Sequence, residues 1–276
     1  MAELLPAYNG TTTRYSTMEE DIIAASSAGF VGLELKTWKL DNYLRNHSVS
    51  ELKTIVEDHG LKVPTLGPYE MVVLGSATQK QASLEKVKRH AEIAAYLGVQ
   101  GLAFSFDESR NESVDHNKPF DSFIEVAIEY AETIMPLNLL CGIESLGGQK
   151  TIRGPLELME IINRATVSNI RIVFDTFQFY RNQTTVQDIT SIPEELILIL
   201  HVSDCENLPL QNLEDKHRLY PGLGIIPLVD LLKPVIDKGY NRFISIEVTR
   251  PEYATSSPHE ICPVAMRYLQ ELIKKL

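Results

Sequence analysis

The sequence predicts an α/β protein folded as a single (β/α)8 barrel, and three observations carry that expectation. Short β-rich apolar runs alternate with amphipathic helical stretches eight times along the 276 residues, an order that argues for parallel strands joined by crossover helices. The later runs are apolar throughout, as befits strands covered on both faces. A glycine also separates helix from strand repeatedly, at Ala28-Gly29, His59-Gly60, Leu97-Gly98 and Lys238-Gly239, where a left-handed residue ends a helix at little cost.

Taken in order, strands are expected at residues 4–8, 32–35, 62–66, 101–104, 139–144, 170–175, 197–202 and 243–248. Helices are expected at 18–27, 49–58, 84–97, 122–133, 156–163, 228–237 and 258–274, and the sixth unit offers only a poor helix at 184–191. An open doubly wound sheet would carry a Gly-rich phosphate turn after its first strand. Here that strand runs into Tyr8-Asn9-Gly10-Thr11-Thr12-Thr13 instead. With no linker and no shift in composition, residues 1–276 read as one domain, a usual length for such a barrel.

Composition excludes several partners. A net charge of −11, from 37 acidic against 26 basic residues, repels phosphate backbones and anionic lipid, and no basic run offsets it. No apolar span of membrane length occurs, and the start has no targeting pattern. Cys141, Cys205 and Cys262 are odd in number and lack CxxC spacing, which suits reduced thiols in a cytoplasm.

The chemistry is expected where the strands end, because loops converge there in this architecture. Four consecutive predicted strands close on a metal-competent residue: Glu144, Asp175, His201 and Glu247. One such carboxylate reads equally well as a helix N-cap or an ion-pair partner. Four on neighbouring strands point to a shared counter-charge, since ionised groups in an apolar barrel are costly unless paired or metal-bound. Three carboxylates and an imidazole suit one divalent ion, Mn, Co, Zn or Mg. Of seven histidines, only His201 ends an apolar strand; His47, His59, His90, His116, His217 and His259 read as surface.

The chain resembles the sugar-phosphate isomerase/epimerase-like (xylose isomerase-like) TIM barrel family, and within it the branch of 2-keto-myo-inositol (inosose) isomerases. The resemblance rests on Gly32-Leu33-Glu34-Leu35-Lys36-Thr37, Ile143-Glu144, Phe174-Asp175-Thr176-Phe177-Gln178, His201-Val202-Ser203-Asp204, the stretch 217–226 and the stretch 245–253. It implies that Glu144, Asp175, His201 and Glu247 hold the metal and that Glu34, Gln178, Asp204 and Arg218 bind substrate. Gln178 stands where the family has histidine; it can hydrogen-bond a hydroxyl but cannot shuttle a proton.

The implied reaction is isomerisation of a keto-polyol or keto-sugar, an inosose above all, through a metal-stabilised enediolate, with Glu144 or Glu247 as base. A lyase, dehydratase or epimerase in the same barrel is the alternative, and a non-catalytic sugar-binding subunit comes behind both. The expected partner is a small molecule, with self-association left open. Arg218, if only a substrate clamp, should be removable without loss of metal or of thermal stability.

Overall fold

The computed structural model describes residues 4–109 and 119–276. Its strands are β1 (Leu5–Asn9), β2 (Gly32–Lys36), β3 (Thr65–Met71), β4 (Gly101–Phe106), β5 (Leu140–Glu144), β6 (Ile170–Asp175), β7 (Ile197–Val202), β8 (Asp204–Cys205), β9 (Arg218–Leu219) and β10 (Phe243–Ile246). Eight of them close a barrel in the order β1-β10-β7-β6-β5-β4-β3-β2, every neighbouring pair parallel. The remaining two, β8 and β9, form a small antiparallel ribbon in the long loop after β7.

Strand alternation divides the barrel interior into layers. At the bottom, Phe243 and Leu198 fill the lumen with Ala7, Ala103, Val173 and Ile199. Their space is left by glycines: a β-carbon at Gly32 would lie 2.7 Å from the Phe243 ring, and one at Gly142 2.6 Å from Leu198. The floor is therefore apolar, and the cluster of buried polar groups lies in the layer above it.

Several boundaries differ from the sequence expectation. β3 begins at Thr65 and runs on to Met71, not over 62–66. Pro64 lacks an N–H for the ladder, so Lys62 makes only an isolated bridge to Gly32. β10 ends at Ile246, which places Glu247 just beyond the strand with its N–H still bonded to Val202 O at 3.1 Å. The helix expected at 84–97 starts two turns earlier, as Ala77–Leu97, behind a capping box of Ser76 and Gln79. Those first turns are polar and carry no apolar period, so only the cap announced them. The poor helix of the sixth unit is a short one, Val186–Thr190.

His90 is not on the surface. It shares a helix face with Val87, Ala91 and Ala94 and is fully buried, with Nδ1 3.0 Å from the Tyr69 hydroxyl and Nε2 2.9 Å from Asp41. The 87/90/91/94 spacing is the helical signal that would have revealed it. His47 and His259 are exposed, His59 and His217 half-buried, and His116 lies outside the described residues. All three cysteines are buried free thiols. Among the described residues no helix is long and apolar enough to cross a membrane.

Candidate active site

Above the apolar floor lies a layer of polar side chains. Register sets Asn9 beside Glu34 and His201 beside both Ser245 and Asp175. Glu34, 1% exposed, is the hub. It accepts from Asn9 Nδ2 at 3.0 Å, from the hydroxyls of Thr65 and Ser245, and from His201 Nε2 at 3.0 Å. Burial alone would raise its pKa, but the His201 charge and Lys36 outweigh burial and bring it to about 2. An ionised carboxylate only accepts, so the His201 ring carries its proton on Nε2. Nδ1 is thereby turned toward the barrel mouth.

The groups that meet it come from four strand ends. One ligand atom from each of Glu144, Asp175, His201 and Glu247 can be chosen so that all lie within 4.8 Å of one another. His201 Nδ1 is 3.3 Å from Glu247 Oε2 and 3.9 Å from Asp175 Oδ2, yet it is buried and makes no hydrogen bond. Asp175 combines two roles: Oδ1 caps the helix Thr176–Arg181, accepting from Phe177 N at 2.7 Å and Gln178 N at 2.9 Å, while Oδ2 accepts from Arg218 at 2.9 Å. The Glu144 carboxylate accepts no hydrogen bond from any described residue.

The electrostatics follow from that crowding. Burial and the neighbouring Asp175 charge push Glu144 well above the carboxylate range. Burial works against protonation of His201, but Glu34 and Glu247 more than reverse it and raise the imidazole well above its ordinary value. Glu247 is shifted the other way: burial is overcome by His201 and Arg218, and it stays ionised. A buried imidazole nitrogen without a hydrogen bond, in ion-pair range of Glu247 and facing three carboxylates in all, is a donor set that a hard divalent cation fits, and Glu34 is the outer carboxylate that would hold the imidazole in orientation.

The residues expected at a substrate pocket divide. A cavity of about 260 Å³ at the barrel mouth is lined by Glu144, His201, Glu247, Gln178 and Arg218, together with Lys36 and Trp38. Gln178 spans it, accepting from Gly147 N at 2.7 Å and donating to Asp215 Oδ1 at 3.3 Å. Glu34 does not line it: it lies beneath, accepting from Asn9, Thr65, Ser245 and His201. Asp204 is elsewhere altogether: 1% exposed, it accepts from the backbone N–H groups of Gly222, Gly224 and Ile226 and pins the loop that follows β9. A Cβ added at Gly224 would fall 2.0 Å from Cys205 O and 2.5 Å from Asp204 Oδ1, so the close approach of this loop excludes larger residues.

Arg218 reaches the cavity as part of its frame. It is 2% exposed, donates to Asp175 Oδ2 at 2.9 Å and Ser203 Oγ at 3.1 Å, lies 3.2 Å from Asp215 through Nε, and stacks its guanidinium 4.4 Å over the Phe177 ring. These contacts argue that its removal would cost stability, against the expectation from the sequence. Strand alternation could have found Lys36, two residues beyond Glu34, but no local signal distinguishes Asn9, Thr65 or Ser245 from ordinary polar residues. A larger cleft of about 500 Å³ adjoins the cavity and shares Arg14 and Trp38 with it. It holds none of the four clustered residues, so the chemistry belongs to the smaller one.

Comparison with known proteins fits this geometry. The family described as xylose isomerase-like TIM barrel matches residues 22–272. An inosose isomerase of Halalkalibacterium halodurans is 27% identical over 271 residues, spanning 97% of this chain and 96% of that one. A 3-dehydroshikimate dehydratase of Pseudomonas aeruginosa is 24% identical over 246 residues, 86% of this chain but 37% of that protein. The crystal structure of the IOLI protein with a bound zinc atom shares the fold at a TM-score of 0.89 and 24% identity, covering 100% of this chain and 99% of that one.

Proposed function

Because the chain belongs to the xylose isomerase-like TIM barrel family, we propose that it is a divalent-metal-dependent isomerase acting on a keto-polyol of the inosose class. The observation that carries the proposal is the buried Nδ1 of His201, without a hydrogen bond and facing Glu144, Asp175 and Glu247. The inosose isomerases among its relatives, matched over nearly their whole length, support the substrate class. The zinc in the similar IOLI structure supports a bound divalent cation.

A bound ion would polarise a ketone and acidify the adjacent C–H. The chain's own residues supply the rest. Asp175 and Glu247 are tied to Arg218 and His201, whereas Glu144 faces the cavity free of protein donors, and this makes Glu144 the first choice to move a proton between neighbouring carbons, with Glu247 second. Gln178 and Arg218 offer donors to the substrate's oxygens. Isomerisation, epimerisation and loss of a β-hydroxyl share the proton abstraction, so the product depends on whether the proton returns to the other carbon, returns to the opposite face, or is used to expel the β-hydroxyl as water. The dehydratase reading keeps a place through the Pseudomonas relatives.

Proton NMR in D2O with a series of keto-inositols decides between them. Metal-loaded protein should place deuterium on carbon and move the carbonyl, and a chelator should stop both. Release of water from the substrate would select the dehydratase; no exchange with any keto-inositol would defeat the proposal.

A pH dependence of metal binding follows from the shifts described above. In the metal-free site Glu144 and His201 both hold protons more tightly than free residues do, and a cation needs both without them at the cluster. Binding should therefore release protons, and affinity should rise as pH increases from about 6 to 8, a range in which the raised imidazole still holds the proton that a cation must displace. Calorimetry in two buffers of different ionisation heat measures the release. An affinity flat across that range would contradict the site.

A further inference from the structure

Lys36 and Lys39 stand three residues apart and are equally buried, each 4% exposed, but their surroundings differ. Lys39 donates to Thr13 O at 2.7 Å, to Ser16 Oγ at 2.9 Å and to Asp21. Its charge is met where it is buried. Lys36 donates to no described residue. Its nearest acid is Glu34 at 4.0 Å, whose oxygens already accept from Asn9, Thr65, Ser245 and His201.

Burying an ammonium without hydrogen bonds is costly, so the direction in which its three donors face matters. Alternation along β2 puts Gly32, Glu34 and Lys36 on the inward face, and Lys36 lines the active cavity. The carboxylate cluster occupies β5, β6, β7 and the end of β10, whereas β2 belongs to the other arc of the barrel. From that arc the cavity wall is made by Thr11, Arg14, Trp38, Pro68, Ala103 and Ser105, with no carboxylate among them. Lys36 thus presents unmet donors across the cavity from the metal-competent residues.

We propose that Lys36 is a substrate-binding residue that selects for an oxygen on the part of a polyhydroxy ketone lying away from the reacting carbons. The substrate class rests on the reading given under Proposed function; the placement of the donor does not. An ammonium–hydroxyl hydrogen bond in a secluded site supplies affinity to substrates that carry the oxygen and withholds it from those that lack it.

Lys36→Met should raise KM for inosose by about tenfold to a hundredfold, with metal affinity unchanged, and Lys36→Arg, which keeps a donor, should recover part of the loss. A deoxy-inosose lacking the contacted hydroxyl should be handled equally by the parent and Lys36→Met. Equal KM values for the two proteins across the whole deoxy series would overturn the assignment. So would a defect traced to weaker metal binding, because Lys36 would then be a counter-charge for Glu34 acting through His201. If the parent turns over no keto-polyol, the functional reading fails separately. Calorimetry with myo-inositol as an unreactive probe of the metal-loaded protein then decides: weaker binding to Lys36→Met supports the role, and equal heats, including none to either protein, dismiss it.

Discussion

A His201→Ala chain should bind divalent metal at least about a hundredfold more weakly than the parent and lose its metal-dependent turnover. Loss even of an outer hydrogen-bond partner of a metal ligand typically costs about 10- to 100-fold, and here the change removes the only neutral donor among Glu144, Asp175, His201 and Glu247. It also removes the group that Glu34 orients, leaving that carboxylate buried with one donor fewer. Glu34→Gln is the informative companion. An amide can donate to His201 Nε2 as well as accept, which permits the other tautomer and takes the lone pair from Nδ1. It should weaken metal binding while leaving all four clustered residues intact. Elemental analysis and metal titration of both variants provide the check, and full metal content in His201→Ala at parental affinity would remove the site.

Arg218→Ala should produce the largest loss of stability. The guanidinium is 2% exposed and lies within ion-pair distance of Asp175, Asp215 and Glu247, at 2.9, 3.2 and 3.7 Å. Burial would lower its pKa, but these carboxylates reverse that and hold the charge firmly. Removing one partner of a buried ion pair costs about 3–5 kcal/mol because the other charge stays behind unmet. For a domain of this size that corresponds to a fall in Tm of roughly 10 °C. The deficit should be smaller with metal present, since a cation among Asp175 and Glu247 supplies positive charge of its own. Melting curves recorded with a chelator and with excess metal should therefore differ more for Arg218→Ala than for the parent. An unchanged Tm in the chelator would show that Arg218 contributes nothing to the frame.

Much of this was visible along the chain. The barrel was legible because its two periods are local: the later apolar runs had to be covered on both faces, and four helices run into a glycine such as Gly98, whose φ of 72° few other residues adopt without strain. The cluster was legible because Glu144, Asp175, His201 and Glu247 each interrupt an apolar run, and a charge there demands a counter-charge.

Tertiary structure alone decided what the remaining polar residues do. Glu34 and Asp204 look like pocket residues in sequence, but one is consumed by donors from four other elements and the other by the backbone of a loop 18 to 22 residues away. Arg218 reads as a substrate clamp until the loop folds it against Asp175. Lys36 and Lys39 are the same residue type at equal burial, and only the positions of Thr13, Ser16 and Asp21 separate a paired charge from an open one. Sequence fixes which groups are costly to bury; which partner meets each of them depends on contacts between residues far apart in the chain, and those exist only once the barrel has closed.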